Sequence, residues 1–247
     1  MPKRRRAPRV AKPKREGRAR TAQASLLAGG ADRARVLALM PVSRETLERL
    51  DRFVALLLEW QQRINLIAPS TEPHLWTRHI ADSLQLLELA PDARAWIDLG
   101  SGGGFPGLVI ACALAGTPGA HVHLIESHGK KAAFLREAQR LTAAPASVHA
   151  MRIEEFVTTF DSPVDAVTAR AVVPLKSLFQ LSFPLLGKSG AMALFPKGQH
   201  AEFELKEARE SPPVQAWGMA ATLVPSRTDP GGRIVVIRNV ERRGTTP

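Results

Sequence analysis

The sequence predicts an α/β protein: a mostly parallel, doubly wound sheet behind an N-terminal helical appendage. Three observations carry that expectation. From residue 94 onward, short apolar runs alternate with segments of helical period. A glycine-rich stretch, WIDLGSGGGFPG at 96–107, closes the first of those runs. Ahead of it, residues 41–89 space their apolar side chains for helices instead.

Residues 41–60 set Leu47, Leu50, Val54, Leu57 and Leu58 on one helical face, with Ser43 as N-cap and Glu45 in the first turn. A second helix over 73–89 carries Leu75, Trp76, Ile80, Leu84 and Leu87. The period then changes. RAWIDLG reads as a buried strand and GLVIACALAG as the helix after it. HVHLIES is a strand, and GKKAAFLREAQRL is an amphipathic helix. Strand SVHAMR precedes the short helix IEEFVTTF, and strand VDAVTAR precedes helix LKSLFQLSFPLL. Strand GAMALFPKG, helix AEFELKEARE and a closing strand GRIVVIRN complete the alternation. The expected division is a basic tail (1–24), the helical appendage (25–92), the sheet domain (93–241) and a short C-terminal tail (242–247).

Charge is uneven along the chain. The net charge of the 247 residues is +11. Residues 1–20 hold ten Lys/Arg against Glu16 alone, so the rest of the chain is near balance. So little apolar surface cannot offset ordering entropy, and the tail is expected to be disordered. A polyanion is its expected partner, nucleic acid first. The start lacks the apolar stretch of a secretory signal, and the Ser content and amphipathic period of a transit peptide. No apolar run reaches the ~18 residues of a membrane span, so a cytoplasmic protein without membrane contact is expected. One cysteine, Cys112, excludes an intrachain disulfide framework, and its apolar surroundings suggest inert core.

In doubly wound sheets, ligands bind beyond the carboxyl ends of the strands, at the switch point. The first strand ends in Asp98 and the glycines. Read as D-x-G-x-G-x-G (Asp98, Gly100, Gly102, Gly104), the loop suits a methyl donor. Read as G-x-G-x-x-G (Gly102, Gly104, Gly107), it suits a dinucleotide. The loop alone leaves both open. The second strand ends in Glu126, placed to accept hydrogen bonds from ribose hydroxyls, which either cofactor offers. The third leads to Ile153 and Glu154, where a carboxylate near an adenine and a first-turn acid are equally compatible readings. The fourth ends in Arg170.

Absences narrow the chemistry. No N/D-P-P-Y/F pattern grips an exocyclic nitrogen, and no usable cysteine serves pyrimidine C5. What remains suits an acceptor that is already nucleophilic, such as guanine N7, which needs alignment more than a base. His79, Asp82 and Ser83 share a helix face, as do Arg78 and Asp82 at i, i+4. They are read as a polar network docking the appendage, with a place over the site mouth as the functional alternative. No second His/carboxylate cluster accompanies them, so no metal is expected. Lys130, Lys131, Arg136 and Arg140 mark one helix as a solvated face which, with Arg170 and Lys197, would extend a phosphate-contacting surface. Scarce aromatics argue against a stacking platform.

Taken together, IDLGSGGGFPGLVIA, LIESHGKKAAFLRE, RIEEF, VTARAV and KG at 197–198, preceded by NLIA and TRHIADSL, resemble the RsmG (GidB) family. Its members are small-ribosomal-subunit RNA guanine-N7 methyltransferases. The resemblance spans about residues 43 to 239. It implies a Rossmann-like class I methyltransferase with a seven-stranded sheet, S-adenosyl-L-methionine as donor, and a guanine in the decoding-region loop of 16S rRNA as acceptor. The partner is then 16S rRNA or a small-subunit precursor, met by a monomer. By motif match Gly100 and Phe105 would line the donor site. Ile153 and Glu154 would contact the adenosine part, and Arg170 would stand where donor and RNA meet. Asp98, Gly102 and Glu126 follow from the fold and the same motifs. Two other readings compete: a nicotinamide-dependent oxidoreductase using the second glycine pattern, and a non-catalytic RNA- or ribosome-binding protein.

Overall fold

The computed structural model describes residues 29–243. The expectations for the basic tail up to residue 24 and for residues 244–247 lie outside them. Residues 29–39 form a first helix, α1. Helix α2 spans Arg44–Gln61, with Ser43 Oγ accepting from the Thr46 amide at 3.1 Å as the expected N-cap. Beyond α3 (Asp82–Leu89) the chain runs β1 (Ala95–Leu99), α4 (Gly107–Leu114), β2 (His121–Ile125) and α5 (Gly129–Thr142). It continues through β3 (Ala146–His149), α6 (Ile153–Thr159), β4 (Ala166–Thr168), α7 (Leu175–Ser189) and β5 (Met192–Lys197). Helices α8 (Ala201–Glu210) and α9 (Pro212–Gln215) precede the hairpin of β6 (Trp217–Pro225) and β7 (Arg233–Arg242).

The strands form one sheet in the order β3-β2-β1-β4-β5-β7-β6. All pairings from β3 to β5 are parallel, and β7 is antiparallel to both its neighbours. The order reverses between β1 and β4, which sets the switch point there. Strand β1 alternates its side chains across two cores. Trp96 faces a core shared with α1–α5, and Ile97 and Leu99 face one built on α6–α9. The appendage shares the first of these cores with the sheet: Phe53 of α2 lies 5.2 Å from the Phe105 ring and 6.3 Å from Phe134 of α5.

The sheet has the seven strands expected; periodicity located six of them, and the seventh is β6. Its residues are mostly half-buried, with Gly218 and a register shift by Gly218–Ala220, so apolar alternation is weak. One expectation is corrected: the helix expected over 73–89 is three pieces, a 3₁₀ turn (Pro69–His74), a π turn (Trp76–Ala81) and α3. In the π turn hydrogen bonds run i to i+5, so side chains four apart no longer stack. The expected Arg78–Asp82 pair accordingly does not form. Arg78 pairs with Asp229 at 2.5 Å, and Asp82 faces Arg170. Among the described residues no helix is long and apolar enough to cross a membrane.

Candidate active site

A cavity of about 750 Å³ opens over the carboxyl ends of β1, β2, β4 and β5. The glycine loop forms its floor at one end. Gly100 adopts φ +74°, and a Cβ there would fall 2.6 Å from Val172 Cγ2, so only glycine fits. Gly102 turns its amide onto Glu126 Oε2 at 2.9 Å, while His128 donates its amide to Oε1 at 2.7 Å. Both oxygens of Glu126 are thus fixed at the end of β2, each with a lone pair left for a further donor.

Asp98 lies below this floor and is fully buried. Its Oδ2 accepts from the Gly107 amide at 3.0 Å, and Oδ1 has no partner among the described residues. Burial pushes its carboxyl up to about 6, with Glu126 adding in the same direction. This arrangement decides between the two glycine patterns. A dinucleotide fingerprint needs the free amides of a helix N-terminus for its pyrophosphate. Here the first amide of α4 is already taken by an acidic side chain, which also repels phosphate.

Of the remaining expected residues, Phe105, Ile153 and Arg170 line the cavity. The carboxylate of Glu154 is not brought to it. Glu154 is exposed in the first turn of α6, where the helix dipole favours an acid. Lys131 is half-buried on the wall, and Lys130, Arg136 and Arg140 are exposed. Lys197 donates to Val173 O at 3.3 Å and Glu204 Oε2 at 2.9 Å. Cys112 is fully buried, and burial pushes its thiol up to about 12.

Arg170 stands just beyond β4 at the centre of a polar network. Its Nη1 donates to Arg78 O at 2.8 Å and its Nη2 to His79 Nδ1 at 2.6 Å, while Asp82 Oδ2 lies 3.8 Å away. Its guanidinium sits 5.3 Å over the Phe105 ring, against which His79 stacks at 4.8 Å. Because Nδ1 of His79 accepts, its Nε2 carries the proton and donates to Thr71 Oγ1 at 2.8 Å, which donates on to Ala68 O. Burial, then the charges of Arg170 and Arg78, hold the His79 imidazolium down at about 3. Asp82 is raised by burial, against the lowering effects of Thr228 and Arg170. Thus His79 and Asp82 dock the appendage and also face the cavity. Ser83 does neither: it is fully buried and donates to His79 O at 2.6 Å.

The turn between β6 and β7 closes the far lip and was not read from the sequence as part of the site. Ser226, Asp229 and Arg233 line the cavity there. The dipeptides DP and GG in TDPGGR mark a turn. Placing it over the strand ends needs the antiparallel β7, which brings the start of that strand to the carboxyl side of the sheet. Among the described residues no group of three or more His, Cys, Asp or Glu is arranged to hold a metal.

These groups set an acid response. His79 and a second histidine, His123, packed against Phe160 and held down at about 4 by burial, are neutral in the fold. Unfolded histidine binds its proton near 6.5, so both contribute stability that is lost as pH falls from 6.5 through their folded values. Asp98, raised to about 6, acts in the opposite sense between 6 and its unfolded value near 3.9. His149 is likewise lowered by burial and Asp82 likewise raised, so three histidine protons stand against two carboxylate protons and stability still falls with acid. Chemical denaturation between pH 6.5 and 4.5 should show that slope. In H123F it should shrink by about one proton, and an unchanged slope would remove His123 from this balance.

The family model described as GidB, rRNA small subunit methyltransferase G, matches residues 46–227. The chain is 59% identical over 212 residues to the ribosomal RNA small subunit methyltransferase G of Bradyrhizobium sp. strain BTAi1, covering 86% of this chain and 93% of that one. It is 58% identical to the protein of the same name from Bradyrhizobium sp. strain ORS 278, with the same coverage. In fold it is similar to the O-methyltransferase from Bacillus cereus in complex with SAH, at a TM-score of 0.52 and 16% identity. That match covers 87% of this chain and 100% of that one.

Proposed function

The chain belongs to the GidB family, rRNA small subunit methyltransferase G, and on that premise we propose that it transfers a methyl group from S-adenosylmethionine to N7 of a guanine in 16S rRNA. The acceptor is 16S rRNA or a small-subunit precursor, met in the cytoplasm by a monomer. The donor fits the residues present. It is cationic, and the end of the cavity under the glycine loop is acidic. Glu126 lines the cavity and keeps lone pairs free on both oxygens, and beneath the floor the buried Asp98 carboxylate has one oxygen, Oδ1, without a partner among the described residues. In this reading Gly100, Gly102 and Phe105 form the surface against which the donor lies, Glu126 takes the ribose hydroxyls, and Ile153 flanks the adenine.

One observation carries the choice of a ring nitrogen as acceptor. Every histidine and carboxylate lining the cavity, among the described residues, is already engaged by a hydrogen-bond donor or acceptor. His79 is held at both nitrogens, Asp82 by Thr228, Glu204 by Lys197, and Asp229 by Arg78. Glu126 keeps free lone pairs but stands at the glycine-loop end, where this reading gives it the ribose; the four others are tied into hydrogen bonds or ion pairs, which suits an acceptor such as guanine N7 that has no proton to lose. S-adenosylmethionine supplies an electrophilic methyl group on a sulfonium. The chain's part is to hold acceptor and donor in line and to exclude water. Arg170, fixed by three partners over Phe105, separates the donor end from the acceptor end.

Calorimetry tests the donor assignment. S-adenosylmethionine and its demethylated product should bind measurably, and NAD should not. Binding of NAD with none of the methyl donor would overturn the reading.

A further inference from the structure

The acceptor end of the cavity is lined by four cations, Arg78, Arg170, Lys197 and Arg233. Three face carboxylates: Arg78 faces Asp229, Arg170 faces Asp82 and Lys197 faces Glu204. Arg233 has no carboxylate partner among the described residues. Its Nη1 donates to Pro230 O at 3.1 Å and Gly232 O at 2.8 Å. Those carbonyls steady the guanidinium from one side and leave Nε and Nη2 without a partner among the described residues.

Strand pairing makes the imbalance sharper. Arg233 opens β7 directly opposite Lys197 of β5, and its partner on the other side is Pro225 of β6. Like charges directly opposite one another in a ladder are destabilising. Lys197 has Glu204 to offset it, so the uncompensated charge is that of Arg233, half-buried at the lip of the cavity, which an anion would complete.

We propose that Arg233 grips the backbone phosphate of the nucleotide whose guanine is methylated. This rests on the reading of the cavity as a methyl-transfer site for RNA. The chemistry favours phosphate over base. An arginine fork on guanine takes O6 and N7 together, and N7 is the atom that must stay open to the methyl group. The distance also suits. β7 lies three positions from β1, about 14 Å at ~4.8 Å per strand, which leaves room for a nucleotide between the glycine loop and Arg233.

The test is binding of deproteinised 16S RNA by the full chain across a salt series, with donor affinity measured in parallel. R233Q should weaken RNA binding about tenfold or more, and flatten the slope of log affinity against log salt by about 0.7–0.9. Donor affinity should be unchanged. R233K should restore most of the slope but not all of the affinity, because lysine keeps the charge and loses the fork. An unchanged slope in R233Q overturns the proposal. So does a loss confined to RNA carrying the target guanine, which would mark a base contact. A drop in donor affinity and melting temperature in both variants would make Arg233 a turn-stabilising residue only, and also overturns it. If wild-type protein binds RNA but transfers no methyl group, the functional reading fails, while the salt slope still reports on Arg233.

Discussion

Replacing Glu126 with glutamine is expected to weaken S-adenosylmethionine binding by about 100-fold while leaving the fold intact. The carboxylate accepts the Gly102 and His128 amides on its two oxygens. An amide side chain can accept only one of them. The other amide then faces an NH₂ group, and one acceptor for the ribose is lost as well. Charge-assisted hydrogen bonds of this kind contribute about 1.5–3 kcal/mol each, and about 3 kcal/mol in sum corresponds to the stated loss. Calorimetry on E126Q reads the affinity, and the melting temperature reads the fold. Wild-type affinity in E126Q would show that Glu126 orders the loop without meeting the donor.

Arg170 carries the second large effect, on stability. R170M keeps much of the aliphatic packing over Phe105 but removes the donors to Arg78 O and His79 Nδ1. It also removes the cation facing Asp82, and Arg170 and Asp82 are only 19% and 15% exposed. Breaking a buried pair by deleting one member costs about 3–5 kcal/mol. Thr228 and Gln85 still serve Asp82, so the low end applies. A loss of about 3 kcal/mol lowers the melting temperature by roughly 10 °C for a chain of this size. R170K should recover little, because one ammonium cannot span carbonyl, imidazole and carboxylate as a planar fork does. A melting temperature within a degree or two of wild type would mean that the network around Arg170 is not under the load described.

The sheet was legible in the sequence because its central strands are buried on both faces. β1 and its parallel neighbours read as short apolar runs with helices between them, and α8 falls on the residues expected, Ala201–Glu210. The glycine-loop end of the cavity was legible for a related reason. Asp98, Gly100, Gly102 and Glu126 stand at the ends of strands, where local sequence and position in the fold coincide. At the other end Arg170, Lys197, His79 and Asp82 were legible as residues, but their partners were not, because those depend on contacts between distant segments. Asp229 meets Arg78 across 151 residues, and Arg170 meets His79 across 91. The half-buried β6 hid the hairpin that brings Arg233 to the cavity. The π turn reset the helical phase that had paired Arg78 with Asp82. Glycine patterns were ambiguous as letters. The Asp98 carboxylate on the Gly107 amide resolved them, and only geometry shows that contact.

The most direct test of methyl transfer to guanine N7 is chemical mapping of the product. Small ribosomal subunits and deproteinised 16S RNA lacking the modification would be incubated with the protein and S-adenosylmethionine. The RNA would then be cleaved chemically at N7-methylguanine and the break located by primer extension. The account predicts one new, donor-dependent break at a guanine of the decoding-region loop. Methyl incorporation without any such break, or a break that forms equally without the protein, would contradict it.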